Sequence, residues 1–292
     1  MTESTDALAP AVNAWFRDAA RDLPWRAPGY PAWGILVSEI MLQQTQVSRV
    51  VPRLAEWLER WPSPSALAAE TPGEAVRAWD RLGYPRRALR LHAAATAIAE
   101  HHGDVVPDDV DALLALPGIG EYTARAVAAF AYGVRVPVVD TNVRRVLARA
   151  VGGQGEAGPP STRRDLAAME AVLPMDAAAA RITNAAVMEL GAVICTARAP
   201  RCDACPIAAQ CAWRQAGYPP YLGPRGASQP RFEGSDRQAR GLVMAELRAS
   251  EVGVTDAEVA SVLPEGEVRR RILAGLLADG LVTRTDGGYT LP

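Results

Sequence analysis

The chain has 292 residues, 49% of them apolar and 22% charged, with a formal net charge of -2; this is the profile of a soluble globular protein of two or three domains. That balance excludes a uniformly basic nucleic-acid coat, so any DNA-binding face has to come from local clusters of arginine. All 31 basic residues are arginine, which removes every mechanism that needs a lysine amine, such as a Schiff base.

The polar, acidic start MTESTDALAP and the lack of any apolar run of about 18 residues predict a cytoplasmic protein without a membrane span. Apolar, helix-forming segments separated by Pro and Gly predict a mainly α chain to about residue 215, with breaks near 24–33, 61–64, 71–73, 83–85, 103–108, 117–120 and 152–160. Within 33–61, Leu36, Ile40, Val47, Val50, Leu54 and Leu58 recur at roughly helical spacing and predict one buried face. Glu39 lies beside Ile40 and Met41 there. A carboxyl among apolar neighbours tends to hold its proton and can deliver it, whereas the plainer alternative is an ion pair with one of the arginines. At 81–91, RLGYPRRALRL puts Leu82 and Tyr84 on a Gly-containing turn, readable as a hydrophobic staple before a helix. Arginines cluster at 86, 87 and 90, at 144, 145 and 149, and at 163 and 164, as solvated faces or as phosphate contacts.

In LPGIGEYTARAVAAFAYGVRVPVVDTNVRRV (116–146), Pro117, Gly118 and Gly120 predict a sharp turn opening a helix over Tyr122–Ala131. Such a turn aims backbone N–H groups at an anion, or it is simply a joint between helices. Asp140, Thr141 and Asn142 precede an arginine-bearing helix, where Asp140 suits an N-cap. Four cysteines follow, Cys195, Cys202, Cys205 and Cys211, spaced C-x6-C-x2-C-x5-C. In a cytosolic chain they predict metal ligation over disulfides, and on spacing alone zinc and iron–sulfur both stand. YPPYLGPRGASQP is a linker within 214–235. Residues 236–292 then read as three helices, the second capped by Thr255 or Asp256, and a hairpin about Asp286-Gly287-Gly288, a small winged-helix-like module.

The string VSEIMLQQTQV (37–47), together with LPGIG followed twenty residues later by VVDTNV, resembles the adenine DNA glycosylases of the MutY type, within the helix-hairpin-helix family of base-excision enzymes. The resemblance implies a two-lobed helical fold, with an iron–sulfur cluster lobe from 1–30 and 141–213 and a helical lobe bearing the hairpin from 31–140. It implies Glu39 as general acid and Asp140 as the charge that stabilises an oxocarbenium-like sugar, with Asn142 and Tyr122 completing the pocket and Trp25 and Arg26 lining the adenine site. Gln43, Gln44, Leu82 and Tyr84 would meet the duplex, the last three as wedges; Pro85 departs from a family position where a second Tyr is common. Backbone amides at Gly118 and Gly120 would hold phosphate, and the family admits a monovalent cation on the hairpin carbonyls. ARAPRCDACP and the cysteine spacing resemble the four-iron four-sulfur loop of these enzymes, with Arg198 and Arg201 as phosphate contacts. Members that also cut the strand carry lysine where this chain has Tyr122, which implies a monofunctional enzyme. The implied setting is a nucleoid-associated monomer acting on mismatched double-stranded DNA, adenine facing 8-oxoguanine or guanine. The tail departs from the family, since about 57 residues cannot form its Nudix-like domain. Two alternatives stand beside this: a thymine glycosylase acting on T:G mismatches, and a non-catalytic iron–sulfur DNA-binding redox sensor.

Overall fold

The computed structural model describes residues 7–225 and 231–292; the first six residues, and 226–230 of the expected linker, lie outside the described residues. The chain divides into two compact units, unit 1 of Met1–Pro28, Asp108–Val110 and Glu121–Ala227, and unit 2 of Gly29–Pro107, Asp111–Gly120 and Ser228–Pro292. Residues 121–140, expected in the helical lobe, thus fall in unit 1, and the tail expected as a separate module packs within unit 2.

Helix α1 (Leu8–Ala19) belongs to unit 1, and a one-turn 3-10 helix, Pro24–Arg26, follows it. Unit 2 then begins with α2 (Ala32–Leu42) and α3 (Val47–Arg60), two helices where the apolar periodicity runs on without a break. The interruption between them carries neither Pro nor Gly. Short α4 (Pro64–Ala68) and α5 (Pro72–Trp79) start where local chemistry dictates: the Ser63 and Thr71 hydroxyls accept from Ala66 and Glu74 N–H groups, and Pro fills the first helical position of each. Helix α6 (Arg86–His101) follows. Trp57, Trp61 and Trp79 form the centre of this unit, edge to face at 4.6 and 5.6 Å, and the Trp33 indole donates to the Trp61 carbonyl at 2.9 Å.

Helix α7 (Val110–Ala115) and α8 (Glu121–Tyr132) flank the LPGIG turn, and α9 (Thr141–Ala150), α10 (Thr162–Glu170), α11 (Ala177–Val193) and α12 (Ala212–Gln215) continue unit 1. Its core joins Leu8 and Val12 of α1 to Val143, Val146 and Leu147 of α9, Val187 and Leu190 of α11, and Ile207. Back in unit 2, the tail forms α13 (Asp236–Ala249), α14 (Asp256–Val262), α15 (Glu267–Ala278) and a hairpin of β1 (Thr283–Thr285) and β2 (Gly288–Thr290), with Thr283 opposite Thr290. Thr255 caps α14 in a capping box with Glu258. The tail is tied to α5 by the Arg77 guanidinium, which donates to the carbonyls of Arg248 at 2.5 Å and Ser250 at 2.9 Å. Arg86 pairs with Asp279 at 3.1 Å. Among the described residues no helix is long and apolar enough to cross a membrane.

Candidate active site and cysteine loop

In unit 2, every residue of α2 from Trp33 to Met41 is buried, so the helix has no solvent side where one buried face was expected. Glu39 is 4% exposed, a carboxyl withdrawn from water. The helix ends at Leu42, and Gln44 takes a left-handed φ of 57°, a conformation that costs a non-glycine residue energy unless its surroundings hold it. Those surroundings come from the next turn: Thr45 Oγ1 donates to the Leu82 carbonyl at 3.0 Å, and the Arg87 guanidinium donates to the Gln43 carbonyl and to both Leu82 and Gly83. Gln44 is exposed and Gln43 half-buried, and Tyr84 stands 41% exposed. Leu82, expected as a wedge, is only 5% exposed. Its carbonyl is gripped and its side chain lies in the core, so the outward residues of these turns are Gln44 and Tyr84. At LPGIG, Leu116 and Ile119 are buried while Gly118 and Gly120 are exposed, leaving backbone at the surface just before α8. Gly118 has φ 74°, and a Cβ there would lie 2.6 Å from that of Arg90, so no other residue fits.

In unit 1, the extended run to Asp140 is pinned by the fully buried Asn184 of α11, whose amide oxygen accepts from Val138 N–H and whose nitrogen donates to the Val136 carbonyl, both at 2.9 Å. Asp140 then caps α9, its Oδ1 accepting from Val143 N–H at 2.7 Å and its Oδ2 from the Asn142 amide at 2.8 Å. Asn142 in turn accepts from Arg145 Nη2 at 2.8 Å, and Arg145 donates to the carbonyls of Gly191 and Cys195, each at 2.7 Å. Gly191 permits this approach, since a Cβ there would meet that of Asn142 at 2.7 Å. Burial raises the Asp140 pKa from its ordinary value, outweighing the Val143 and Asn142 hydrogen bonds and the nearby Arg145 charge. The N-cap reading is therefore correct, and compatible with a chemical role: a reluctant anion held by donors is poised to stabilise a nearby cation. The Tyr122 hydroxyl reaches Met188 Sδ at 3.9 Å. Trp25 is half-buried, and Arg26, implied as a pocket residue, pairs with Glu189 at 2.8 Å beside Arg21 at 2.6 Å.

The four cysteines line one cavity with Val146, Arg149, Leu190 and Trp213. Burial, reinforced by the other three cysteines, pushes the Cys205 thiol up to about 11, and burial raises Cys211 as well. Thiols so placed ionise readily only when a cationic centre receives them, which fits a thiolate-bound metal group. Arg149 is 4% exposed and aims Nη1 at Cys195 Sγ, 3.3 Å away. It also donates to the carbonyls of Gly155, Thr196 and Ala197 at 2.9, 2.8 and 3.1 Å. The arginine clusters are thus not uniformly surface features: Arg87 and Arg149 are internal, and Arg145 is half-buried, while Arg198 and Arg201 remain exposed. Sequence reasoning missed Arg87, Arg145 and Asn184 as organising residues. Only Asn184 left a signal, a lone amide inside the apolar RITNAAV.

A model of the HhH-GPD superfamily of base excision DNA repair proteins matches residues 37–170, and one of the iron–sulfur binding domain of endonuclease III matches 195–211. An adenine DNA glycosylase of Mycobacterium tuberculosis is 56% identical over 281 residues, 96% of this chain and 91% of that protein. One from Mycolicibacterium smegmatis is 55% identical over 280 residues, 95% of this chain and 94% of its own. Among solved structures, a thermostable thymine-DNA glycosylase superposes with a TM-score of 0.67 at 26% identity, covering 73% of this chain and 98% of that one.

Proposed function

Since the chain belongs to the adenine DNA glycosylases of the HhH-GPD superfamily, and is thus a base-excision glycosylase of DNA with a four-iron four-sulfur cluster on its cysteine loop, we propose that it releases adenine mispaired with 8-oxoguanine or guanine. The observation that carries the chemical assignment is the housing of Asp140, a buried carboxyl whose two oxygens accept from Val143 N–H and the Asn142 amide while burial raises its pKa. Adenine leaves poorly until a ring nitrogen is protonated, and Glu39 donates that proton. Departure of the base leaves a cationic sugar, which Asp140 stabilises by its charge or by brief covalent capture before water adds. Two carboxyls in unlike environments fill the two roles.

Extruding the base from a duplex costs a few kcal/mol, which Gln44 and Tyr84 offset by filling the stack. Leu82 supports the turn beneath Tyr84. Tyr122 and Asn142 line the nucleoside site, with Asn142 also orienting Asp140. The amides at Gly118 and Gly120 take the phosphate, with a monovalent cation on the hairpin carbonyls. With no lysine in the chain, the product is an abasic site and the strand stays uncut by lysine-dependent β-elimination. The protein acts as a monomer.

The likeness to a thymine-DNA glycosylase structure favours one second reading, removal of thymine from T:G pairs. Incubation with duplexes holding A opposite 8-oxoguanine and T opposite G decides between them. Release of adenine from the first, with an alkali-labile but otherwise intact strand, supports the proposal; release of thymine alone refutes it.

A further inference from the structure

Two turns of unit 2 carry non-glycine residues at left-handed φ, Gln44 at 57° in one, Asp80 and Tyr84 at 45° and 48° in and beside the other. Such residues persist only where the surrounding structure over-determines them. The side chain between these turns is Arg87, 6% exposed, and its guanidinium touches both. Nη1 donates to the carbonyls of Ile40 and Met41 at 2.9 and 3.0 Å and to Gln43 at 2.5 Å. Ile40 and Met41 lie in the last turn of α2, where carbonyls have no acceptor role left inside the helix and concentrate its negative dipole end. Nη2 donates to Thr45 Oγ1 at 3.0 Å and to the carbonyls of Leu82 and Gly83 at 3.1 and 2.8 Å. The guanidinium also lies against the rings of Trp79 at 5.1 Å and Tyr84 at 5.7 Å. A buried cation whose two terminal nitrogens are met by neutral oxygens from two separate turns, and whose Nε has no hydrogen-bond partner, does not contact phosphate; it fixes backbone.

We propose that Arg87 is a positioning residue that sets the 43–46 turn and the 81–85 turn in one fixed register, so that Gln44 and Tyr84 enter a duplex together. The inference rests on the reading of Gln44 and Tyr84 as the groups that fill the stack. The planar fork is essential to it, because each nitrogen serves one line of acceptors and a lysine ammonium cannot span both. Burial lowers the Arg87 pKa to about 10, still well above neutrality, so the clamp stays charged under working conditions.

The test uses the full-length cluster-loaded protein as wild type, Arg87→Gln and Arg87→Lys. Hydrogen–deuterium exchange without DNA reads the turns, and single-turnover release from an A:8-oxoguanine duplex reads their use. In Arg87→Gln, peptides spanning 42–46 and 81–85 both exchange faster while those of α9 and α11 keep wild-type protection. Base release falls about 100-fold, as small misplacements of positioning groups do. Duplex affinity stays within about threefold, since phosphate contacts dominate it. Arg87→Lys recovers less than about tenfold of the lost rate, because it restores charge without the fork. Faster exchange in only one turn, or in neither, overturns the proposal, as does release within about threefold of wild type or full recovery by lysine. If Arg87→Gln does not fold, Arg87→Lys is judged by the same criteria. A wild-type protein that releases no adenine sinks the catalytic reading instead, and the exchange data still decide whether Arg87 couples the turns.

Discussion

Arg87 in unit 2 and Arg149 in unit 1 have similar surroundings and differ most in one respect. Each is almost fully buried, each donates to several backbone carbonyls, and each lies over an indole, Trp79 at 5.1 Å and Trp213 at 4.7 Å. Arg149 alone reaches a thiol, Cys195 Sγ at 3.3 Å. A buried cation is costly until a counter-charge or a full set of dipoles meets it. Arg149 receives its counter-charge when the cysteines ionise around a cluster, whereas Arg87 relies on dipoles throughout. One region is therefore built around charge that completes on cofactor loading, and the other around backbone geometry. The two carboxyls follow the same division: Asp140 sits among donors at a helix start, and Glu39 on a helix closed to water.

The largest expected effect breaks the charged half. Asp140→Asn keeps the N-cap and removes the anion, so single-turnover adenine release falls by at least about 1,000-fold, the scale of losing a transition-state charge partner. Stability sharpens the point. Because the folded-state pKa of Asp140 is raised, its charge costs stability above that pKa and costs nothing once it is protonated. The thermal midpoint of Asp140→Asn therefore equals or exceeds that of wild type at pH 7, and the difference closes as pH falls through the Asp140 pKa. A variant that is both active and less stable at pH 7 would contradict both halves of the assignment. Next comes the withdrawn half: Glu39→Gln preserves size, so it folds normally and loses about 100-fold or more in release, the share of a general acid.

Much of this was legible where structure is decided locally. Tyr122–Ala131 announced α8, Thr255 or Asp256 announced the start of α14, and Asp286-Gly287-Gly288 announced the hairpin, because capping and turn chemistry act over three or four residues. The cysteine loop was legible too, as four thiols at a telling spacing. What escaped was set at long range. The break at 43–46 has no Pro or Gly, and the group holding it, Arg87, lies 44 positions on from Gln43. The ion pair of Arg26, implied as a lining residue of the adenine site, was not foreseen, because its partner Glu189 lies 163 positions away. Leu82 was implied as a wedge, but it is buried and its carbonyl accepts from Thr45 and Arg87, 37 and 5 positions away. In each case an arginine or hydroxyl bonds a group on a distant element, backbone at the two turns and a carboxylate at Arg26, and no local pattern encodes that.

A third expected effect separates the two arginines directly. Arg149→Met leaves the ionised thiols without their buried counter-charge, so iron per chain and the visible iron–sulfur absorbance fall by more than half, with Arg149→Lys in between. Arg87→Gln keeps the full iron content. Equal iron in all three variants would show that Arg149 packs the loop and does not balance its charge.

The smallest effect concerns an arginine pair that does have a carboxylate. Burial works to raise Glu189, but its hydrogen bonds to Arg21 and Arg26 prevail and bring it down to about 2. A depressed carboxylate pKa contributes stability that is fully present above its unfolded value of about 4.3 and is lost as pH falls toward 2. Its size is on the order of 2 kcal/mol, allowing for the exposure of Arg21. Glu189→Gln cannot ionise, so its deficit in urea unfolding relative to wild type is constant from pH 7 to about 5 and narrows below about 4.5. A deficit that persists unchanged to pH 3 would mean that shape, and not the ion pair, holds Arg26 in place.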